Sequence, residues 1–92
     1  ILEPKAGHRE HVRGLVTNLA EFFATQPGFI DGYTLDSDTL LGRVTAWEAE
    51  ADADHAAQSD HVLAVRSQLN QEVLERTHEE HGFQGTAIKP AS

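Results

Sequence analysis

A single apolar stripe between residues 12 and 23 constrains the fold more than any other feature of the sequence. Pro27 and Gly28 follow it and predict its end, since proline cannot continue the hydrogen-bond ladder and glycine accepts a left-handed turn. The pattern predicts an amphipathic helix over residues 7–25 that must bury one face. The stripe recurs at intervals of three and four residues, the spacing of one helix face, and consists of Val12, Leu15, Val16, Leu19, Phe22 and Phe23.

Two predicted strands follow the helix, and the second carries apolar side chains on both faces. Residues 29–35 and 40–47 are rich in strand formers, and residues 36–39 have turn chemistry. A sheet with one face in water alternates more strictly between apolar and polar residues. Each face therefore needs a cover, and one helix layer can cover only one. Alternation places Leu40, Val44 and Ala46 on one face, and Leu41, Arg43, Thr45 and Trp47 on the other.

The second half of the chain predicts two helices. The acidic, alanine-rich run 50–57 favours a short helix, because carboxylates are favourable at a helix N-terminus. Ser59 or Asp60 then caps a second helix. The apolar side of that helix consists of Val62, Val65 and Leu69.

Strands are also expected at the two ends of the chain. Residues 1–3 resemble the end of a strand, and a last strand falls either within 73–81 or within 83–88, between which periodicity does not decide. The predicted order is therefore β-α-β-β-α-(α)-β. This is a single α+β domain of the ferredoxin-like type over residues 1–92, with residues 89–92 as a tail.

Composition excludes several classes of function. Fifteen Asp and Glu against seven Lys and Arg give a net charge of −8, which argues against binding to nucleic acid or an anionic membrane. The absence of cysteine excludes disulfides, thiolate metal sites and a cysteine nucleophile, and it fits a reducing compartment such as the cytoplasm. No apolar run approaches the roughly 20 residues of a membrane span.

One histidine-rich run invites a metal-site interpretation that its spacing does not support. His78-Glu79-Glu80-His81 separates its histidines by three residues, whereas the helical zinc-protease motif separates them by four. We therefore predict no metal site.

Four short motifs occur in a particular order. In order of position these are the loop Pro4-Lys5-Ala6-Gly7-His8, then Pro27-Gly28-Phe29 with Gly32-Tyr33, then Trp47-Glu48-Ala49-Glu50-Ala51, and then Ser59-Asp60-His61, whose histidine lies fourteen positions beyond the tryptophan. Over about residues 1–75 this order resembles the antibiotic biosynthesis monooxygenase family of dimeric α+β barrels.

The resemblance implies both an assembly and an activity. Helices would cover one face of the sheet, and the other face would pack on a second subunit to form a homodimer. The first strand would begin before Ile1. A pocket lined by apolar and aromatic side chains would lie between sheet and helices. The implied reaction is oxygenation of a small quinol- or anthrone-like aromatic substrate by O2 without metal, flavin, haem or other cofactor, after a base removes a phenolic or enolic proton.

The resemblance also suggests site residues. His61 matches a histidine position of the family, and an imidazole exchanges a proton near neutral pH. His55 departs from the pattern, because the family's helix histidine corresponds to Ala56, and one residue turns a helix position by about 100°. The candidate catalytic residues are His61, Trp47 and Arg43, and the candidate substrate-binding residues are Tyr33, His55, Phe22 and Val65.

Plainer roles exist for the same side chains, and other functions fit the same fold. Trp47 and Tyr33 could be packing residues, Arg43 could pair with an acid, and His61 could cap its helix. An isomerase or hydrolase acting on a small phosphorylated or oxygenated metabolite would use Arg43 or Arg66 as its cationic anchor. A dimer that binds a ligand or serves in a stress response would have no chemistry. Haem degradation is disfavoured, since Ala56 and Arg66 stand where such relatives carry Trp and His.

Overall fold

The computed structural model of the protein describes residues 1–74, 81–86 and 88. Three helices and an antiparallel hairpin confirm the predicted α+β class. The ends of the three predicted helices and of the two hairpin strands lie within two residues of the observed ones. The order is α1 (Arg9–Phe23), β1 (Phe29–Asp36), β2 (Leu41–Trp47), α2 (Glu50–Ala57) and α3 (Asp60–Glu72).

Helix α1 buries the apolar stripe and ends before the proline. Backbone N–H groups of Ala24, Thr25 and Gln26 bond back to carbonyls in the last turn of the helix. Gly28 then adopts φ +84°, the left-handed conformation that turns the chain into β1. The fully buried members of the stripe are Val12, Val16, Leu19 and Phe23, while Leu15 and Phe22 are partly buried.

The two strands pair antiparallel over their whole length. The register runs from Phe29 opposite Trp47 to Asp36 opposite Leu41, with a bulge between Phe29 and Asp31. The bulge leaves Ile30 without a partner and increases the local twist.

Arginines from α1 hold the end of the hairpin. Arg13 contacts one carboxylate oxygen of Asp36 at 2.8 Å, and Arg9 contacts the other at 2.5 Å. Arg9 also donates to the Ser37 carbonyl, and Ser37 Oγ accepts from the Leu40 N–H at 3.1 Å. These contacts tie the turn to the first half of α1.

The sheet has one inner and one outer face, as the alternation predicted. On the inner face Leu41 is buried and Arg43 and Trp47 are half-buried. On the outer face Tyr33 is 64% exposed and its pairing partner Val44 is 51% exposed. Helix α1 packs on the inner face, and the outer face remains uncovered by the described part of the chain.

Two short segments extend the hairpin beyond β2. Leu2 forms an antiparallel bridge with Leu41, with N–H···O distances of 2.8 and 2.9 Å. Pro4 in turn bridges Val73, directly after α3. The order across the sheet is thus β1, β2, residues 2–4 and then residue 73.

The prediction of a strand over residues 83–88 is wrong for the described residues 83–86 and 88, which form neither helix nor strand. Phe83 and Ile88 are 89% and 94% exposed, so their strand propensity finds no neighbouring strand or core. The Val73 bridge lies at the start of the alternative, residues 73–81. Residues 75–80 of that alternative, including His78, are outside the described range.

The core lies between the helices and the inner face of the sheet. Helix α3 enters it behind a capped first turn, since Ser59 Oγ accepts the Val62 N–H at 3.2 Å. No helix in the described ranges combines the length and apolar composition needed to cross a bilayer. The core consists of Leu2, Val12, Val16, Leu19, Phe23, Leu41, Ala56, Val62, Val65, Leu69 and Val73.

Candidate functional site

Four aromatic rings meet where α1 ends, β1 begins and β2 ends; we call them the aromatic cluster. Trp47 contacts Phe23 edge-to-face at 5.7 Å and Phe29 edge-to-face at 5.5 Å between ring centroids. Phe22 lies beside Phe23 at 6.3 Å. Edge-to-face pairs place a positive ring edge against a negative ring face, which favours this geometry over a face-to-face sandwich.

His61 extends the aromatic cluster at the start of α3. Its ring stacks on Phe22 with centroids 4.3 Å apart and an interplanar angle of 15°. Its Nε2 lies 2.7 Å from Oδ1 of Asn18. Asn18 and Phe22 are four residues apart on α1, so they lie on one side of the helix and can contact the same ring.

The Asn18 contact determines how the imidazole can act. Because Oδ1 is an acceptor, Nε2 of His61 carries the proton in this hydrogen bond. The neutral imidazole then presents Nδ1 as its acceptor nitrogen. The His61 residue as a whole is exposed.

Arg43 contacts the aromatic cluster from the inner face of β2, the face that also carries Trp47. The Arg43 guanidinium lies 4.5 Å from the centroid of the Phe23 ring, within cation–π distance. The Trp47 indole N–H donates to Oγ1 of Thr45, two residues away on the same strand face, at 3.0 Å. The polar group of Trp47 is therefore satisfied within β2, and its ring serves packing.

Three predicted site residues lie elsewhere. Tyr33 is on the outer face, where its hydroxyl donates to Oδ2 of Asp31 at 3.1 Å. That hydrogen bond and the Asp31 charge raise the pKa of Tyr33 above its ordinary value. His55 is exposed on α2, because Ala56 takes the buried position, and Val65 is part of the core. The structure thus brings together His61, Phe22, Trp47 and Arg43.

The site contains one residue that sequence analysis did not identify, Asn18. The spacing of Asn18 and Phe22 on α1 was visible in the sequence, but their common partner on α3 was not. An open groove lies along α1 and includes Asn18 in its lining, whereas the aromatic cluster occupies the region where a pocket was expected. The residues that line the groove are Glu10, Arg13, Gly14, Thr17, Asn18 and Glu21.

The described residues contain no group of three His, Asp or Glu side chains arranged to hold a metal ion.

Comparison with known proteins identifies a fold relative. No family model and no curated protein matches the chain. One solved structure, of a conserved protein from Methanosarcina mazei Go1, is similar with a TM-score of 0.74. It is 20% identical in sequence, and the match covers 84% of this chain and 79% of that one. The similarity shows a shared fold.

Proposed function

We propose that the chain is a cofactor-independent oxygenase that oxidises a planar aromatic molecule of quinol or anthrone type with O2. The observation that carries this proposal is the His61 ring, stacked on Phe22 and held through Nε2 by Asn18. An imidazole held in this way offers an acceptor nitrogen beside an aromatic surface. The reaction needs such a base, since it begins with removal of a proton from the substrate.

The reaction balances with the substrate as its own reductant. Nδ1 of His61 takes a proton from an acidic CH2 group of an anthrone, and the resulting anion passes one electron to O2. The substrate radical and superoxide then form a C–O bond, and the proton returns from His61 to give a hydroperoxide. Loss of water leaves a ketone, so one CH2 group and one O2 become one C=O group and one H2O.

Arg43 and the aromatic side chains near His61 are proposed to stabilise the negative charge that develops on the planar substrate. The Arg43 guanidinium provides a positive charge on the inner side of the aromatic cluster, where it favours a developing anion. Phe22, on which the His61 ring stacks, is the partly buried aromatic surface beside the proposed base. In this proposal His61 is the catalytic base and Asn18 is a positioning residue.

The fold supports a ferredoxin-like unit that dimerises. The order β1, β2, residues 2–4, residue 73 is the sheet order of that unit. Tyr33, Leu35 and Val44 form an apolar outer face that a second copy would cover. An isologous contact of this kind places the same patch on both subunits and enlarges the modest core of a small chain.

A dimer that binds an aromatic ligand without chemistry is the second candidate. It is favoured by the packing of Phe23, Phe29 and Trp47, which occupy the region where the substrate pocket was expected. A ligand would then stack on the exposed His61 ring and undergo no reaction.

Oxygen consumption with a panel of hydroquinones and anthrones tests the proposal, on protein shown to be free of metal and flavin. We expect His61→Gln to lower kcat/KM at least about 100-fold, because it removes the base. Asn18→Leu is expected to have a smaller effect, since it removes the partner of Nε2 but leaves the base in place. His81→Gln, which removes a histidine outside the site, is the matched control and should leave the rate unchanged.

Two results would contradict the oxygenase proposal. One is the absence of oxygen uptake by the unaltered protein, and the other is an uptake rate that survives His61→Gln. If ligands quench the fluorescence of Trp47, the single tryptophan, without oxygen uptake, the binding dimer is the better account.

A further inference from the structure

Strand β1 contains the dipeptide Asp31-Gly32, and no other aspartate of the chain precedes a glycine. Asp31 is exposed and Gly32 is half-buried. An aspartate side chain reacts most readily with the next backbone nitrogen when that nitrogen belongs to glycine, because glycine has no side chain to shield it or to restrict rotation. The dipeptide therefore joins a reactive carboxyl group to an accessible nitrogen.

Two hydrogen bonds hold the Asp31 carboxyl group beside the Gly32 nitrogen. The Gly32 N–H donates to Oδ1 of Asp31 at 2.8 Å, and the Tyr33 hydroxyl donates to Oδ2 at 3.1 Å. Because both oxygens are held, the carbon that joins them, Cγ, stays close to the Gly32 nitrogen. Ring closure between these two atoms therefore requires only a short approach.

The dipeptide lies in an edge strand and beside an irregularity of the sheet. Among the described residues β1 pairs on one side only, with β2. The register shifts between Phe29 and Asp31, and a bulge of this kind disrupts the ladder locally. Ring closure requires the backbone of Asp31 to rotate out of the extended conformation, and local opening of an edge strand permits that rotation.

Packing explains why glycine occupies position 32. A Cβ at this position would lie 3.0 Å from Cζ of Phe29, whose ring contacts Trp47 in the aromatic cluster. A larger residue would displace the Phe29 ring, and close-packed interiors tolerate such displacement poorly. The fold therefore keeps at position 32 the residue that also makes the preceding aspartate reactive.

We propose that Asp31-Gly32 is a self-modification site at which Asp31 converts to isoaspartate through a succinimide. The Gly32 nitrogen forms a bond to Cγ of the protonated carboxyl group, and the hydroxyl of that group leaves with the amide hydrogen as water. Water then opens the ring. Attack at the main-chain carbonyl of residue 31 gives isoaspartate, and attack at Cγ restores aspartate. The water lost in the first step is regained in the second, so the mass is unchanged and nothing is oxidised or reduced.

Conversion changes the strand that carries it. The backbone of an isoaspartate runs through Cβ and Cγ, so β1 becomes longer by one methylene group at residue 31. Residues 32–36 pair with residues 41–45 in a register that this additional group interrupts. The carboxylate moves to Cα of residue 31, so the Tyr33 hydroxyl loses its acceptor at the position of Oδ2. The modification therefore alters the outer face of the hairpin.

Peptide mapping of the aged, folded protein tests the proposal. The chain is incubated in neutral buffer at physiological temperature for several weeks. Electron-transfer fragmentation then distinguishes isoaspartate from aspartate of equal mass, and an isoaspartyl carboxyl methyltransferase labels the converted residue. We expect conversion at Asp31 to be faster by at least about tenfold than at any other aspartate, a barrier difference of about 1.4 kcal/mol. The aspartates for comparison are Asp36, Asp38, Asp52, Asp54 and Asp60.

Two matched variants separate the site from general ageing of the chain. Asp31→Glu keeps the charge but should abolish conversion at position 31, because glutamate would have to close a larger ring. Asp38→Glu, the same substitution at an exposed position of the hairpin turn, should leave conversion at Asp31 unchanged. Absence of isoaspartate at residue 31 in the unaltered chain, equal conversion at another aspartate, or methyl label that persists at position 31 in Asp31→Glu would each overturn the proposal.

Discussion

Gly28 shows how one residue joins two parts of the fold. Its φ of +84° is a conformation that side-chain-bearing residues rarely adopt. A Cβ at this position would also lie 2.6 Å from Cβ of Asp52, in the first turn of α2. Gly28 therefore permits the turn into β1 and the close approach of α2 at the same time.

Gly28→Ala is expected to lower the free energy of unfolding by about 2–3 kcal/mol, combining the cost of a left-handed alanine with that of displacing Asp52. Gly7 provides a matched control, since its φ is +79° but a Cβ added there would meet nothing within 4 Å. Gly7→Ala should therefore cost only about 1 kcal/mol. Chemical denaturation measures both values.

A double variant isolates the contact with Asp52. Gly28→Ala measured in an Asp52→Gly background should cost no more than Gly7→Ala, because only glycine at position 52 removes the Cβ that would lie 2.6 Å from the new one. Equal losses for Gly7→Ala and Gly28→Ala would show that the contact with α2 has no energetic weight.

Tyr33 gives a second prediction that concerns a single residue. Its hydroxyl donates a hydrogen bond to Asp31. This hydrogen bond is the largest cause of the raised pKa of Tyr33, and the charge of Asp31 is the second largest. Asp31→Asn should lower that pKa towards the ordinary value, since the charge is removed. Tyr33 is the single tyrosine of the chain, so the near-ultraviolet absorbance of tyrosinate reports it alone. An unchanged titration in Asp31→Asn would contradict the assigned cause.

Among the elements, α3 carries His61 and depends on a cap for its first turn. Ser59 Oγ accepts the Val62 N–H, whereas α1 and α2 have no side-chain cap bond at their N-terminal residues. The cap therefore stabilises the turn that holds His61 against Phe22.

Ser59→Ala is expected to lower the free energy of unfolding by about 1 kcal/mol through loss of this cap. Ser67→Ala, the same substitution at an exposed position inside α3, is the matched control and should be neutral within about 0.5 kcal/mol. Ser59→Asp should retain most of the stability, because aspartate caps as well as serine. Thermal and urea unfolding followed by circular dichroism compare the three. Equal effects of the two alanine substitutions would exclude the cap as the cause.

At the scale of the whole molecule, the outer face of the hairpin is an exposed apolar surface that the described part of the chain leaves uncovered. Val44 pairs with Tyr33 there, and both are more than half exposed. Large apolar side chains grouped on one sheet face mark an interaction surface more often than scattered ones do. The proposed homodimer would remove this face from water.

Val44→Glu is therefore expected to convert the dimer into a monomer, because each copy would bring a charge into the contact. Leu63→Glu is the matched control, since Leu63 is exposed to a similar extent, 53% against 51%, but lies on α3. Sedimentation equilibrium should show a dimer for the unaltered chain and for Leu63→Glu. A monomeric unaltered chain, or dissociation by both substitutions, would contradict the proposed interface.

Much of the secondary structure could be predicted because it depends on local patterns. The stripe from Val12 to Phe23 and the turn chemistry at residues 36–39 act over a few positions, and the helices and hairpin formed where these patterns occur. The end of the chain could not be predicted in this way. Residues 83–88 have strand composition, but a strand needs a neighbouring edge, and composition does not supply one.

The candidate site was predictable in part for the same reason. Phe22, Trp47 and His61 were identified from motifs within single elements. Asn18 was missed because its role depends on the side of α1 that faces α3. Tyr33 was placed in the site by motif, and His55 was included although it lies one residue from the family's helix histidine position. Strand alternation and the burial of Ala56 direct both of them elsewhere.

The sequence by itself determined the three helices and the two hairpin strands, and which strand carries apolar side chains on both faces, because periodicity and turn residues act locally. Only the tertiary structure decided that His61 stacks on Phe22 beside Asn18 and that Glu72 meets His8. These contacts join residues 39 to 64 positions apart, and they depend on how α1 and α3 pack together. Packing is a property of the whole core, so no short pattern encodes it.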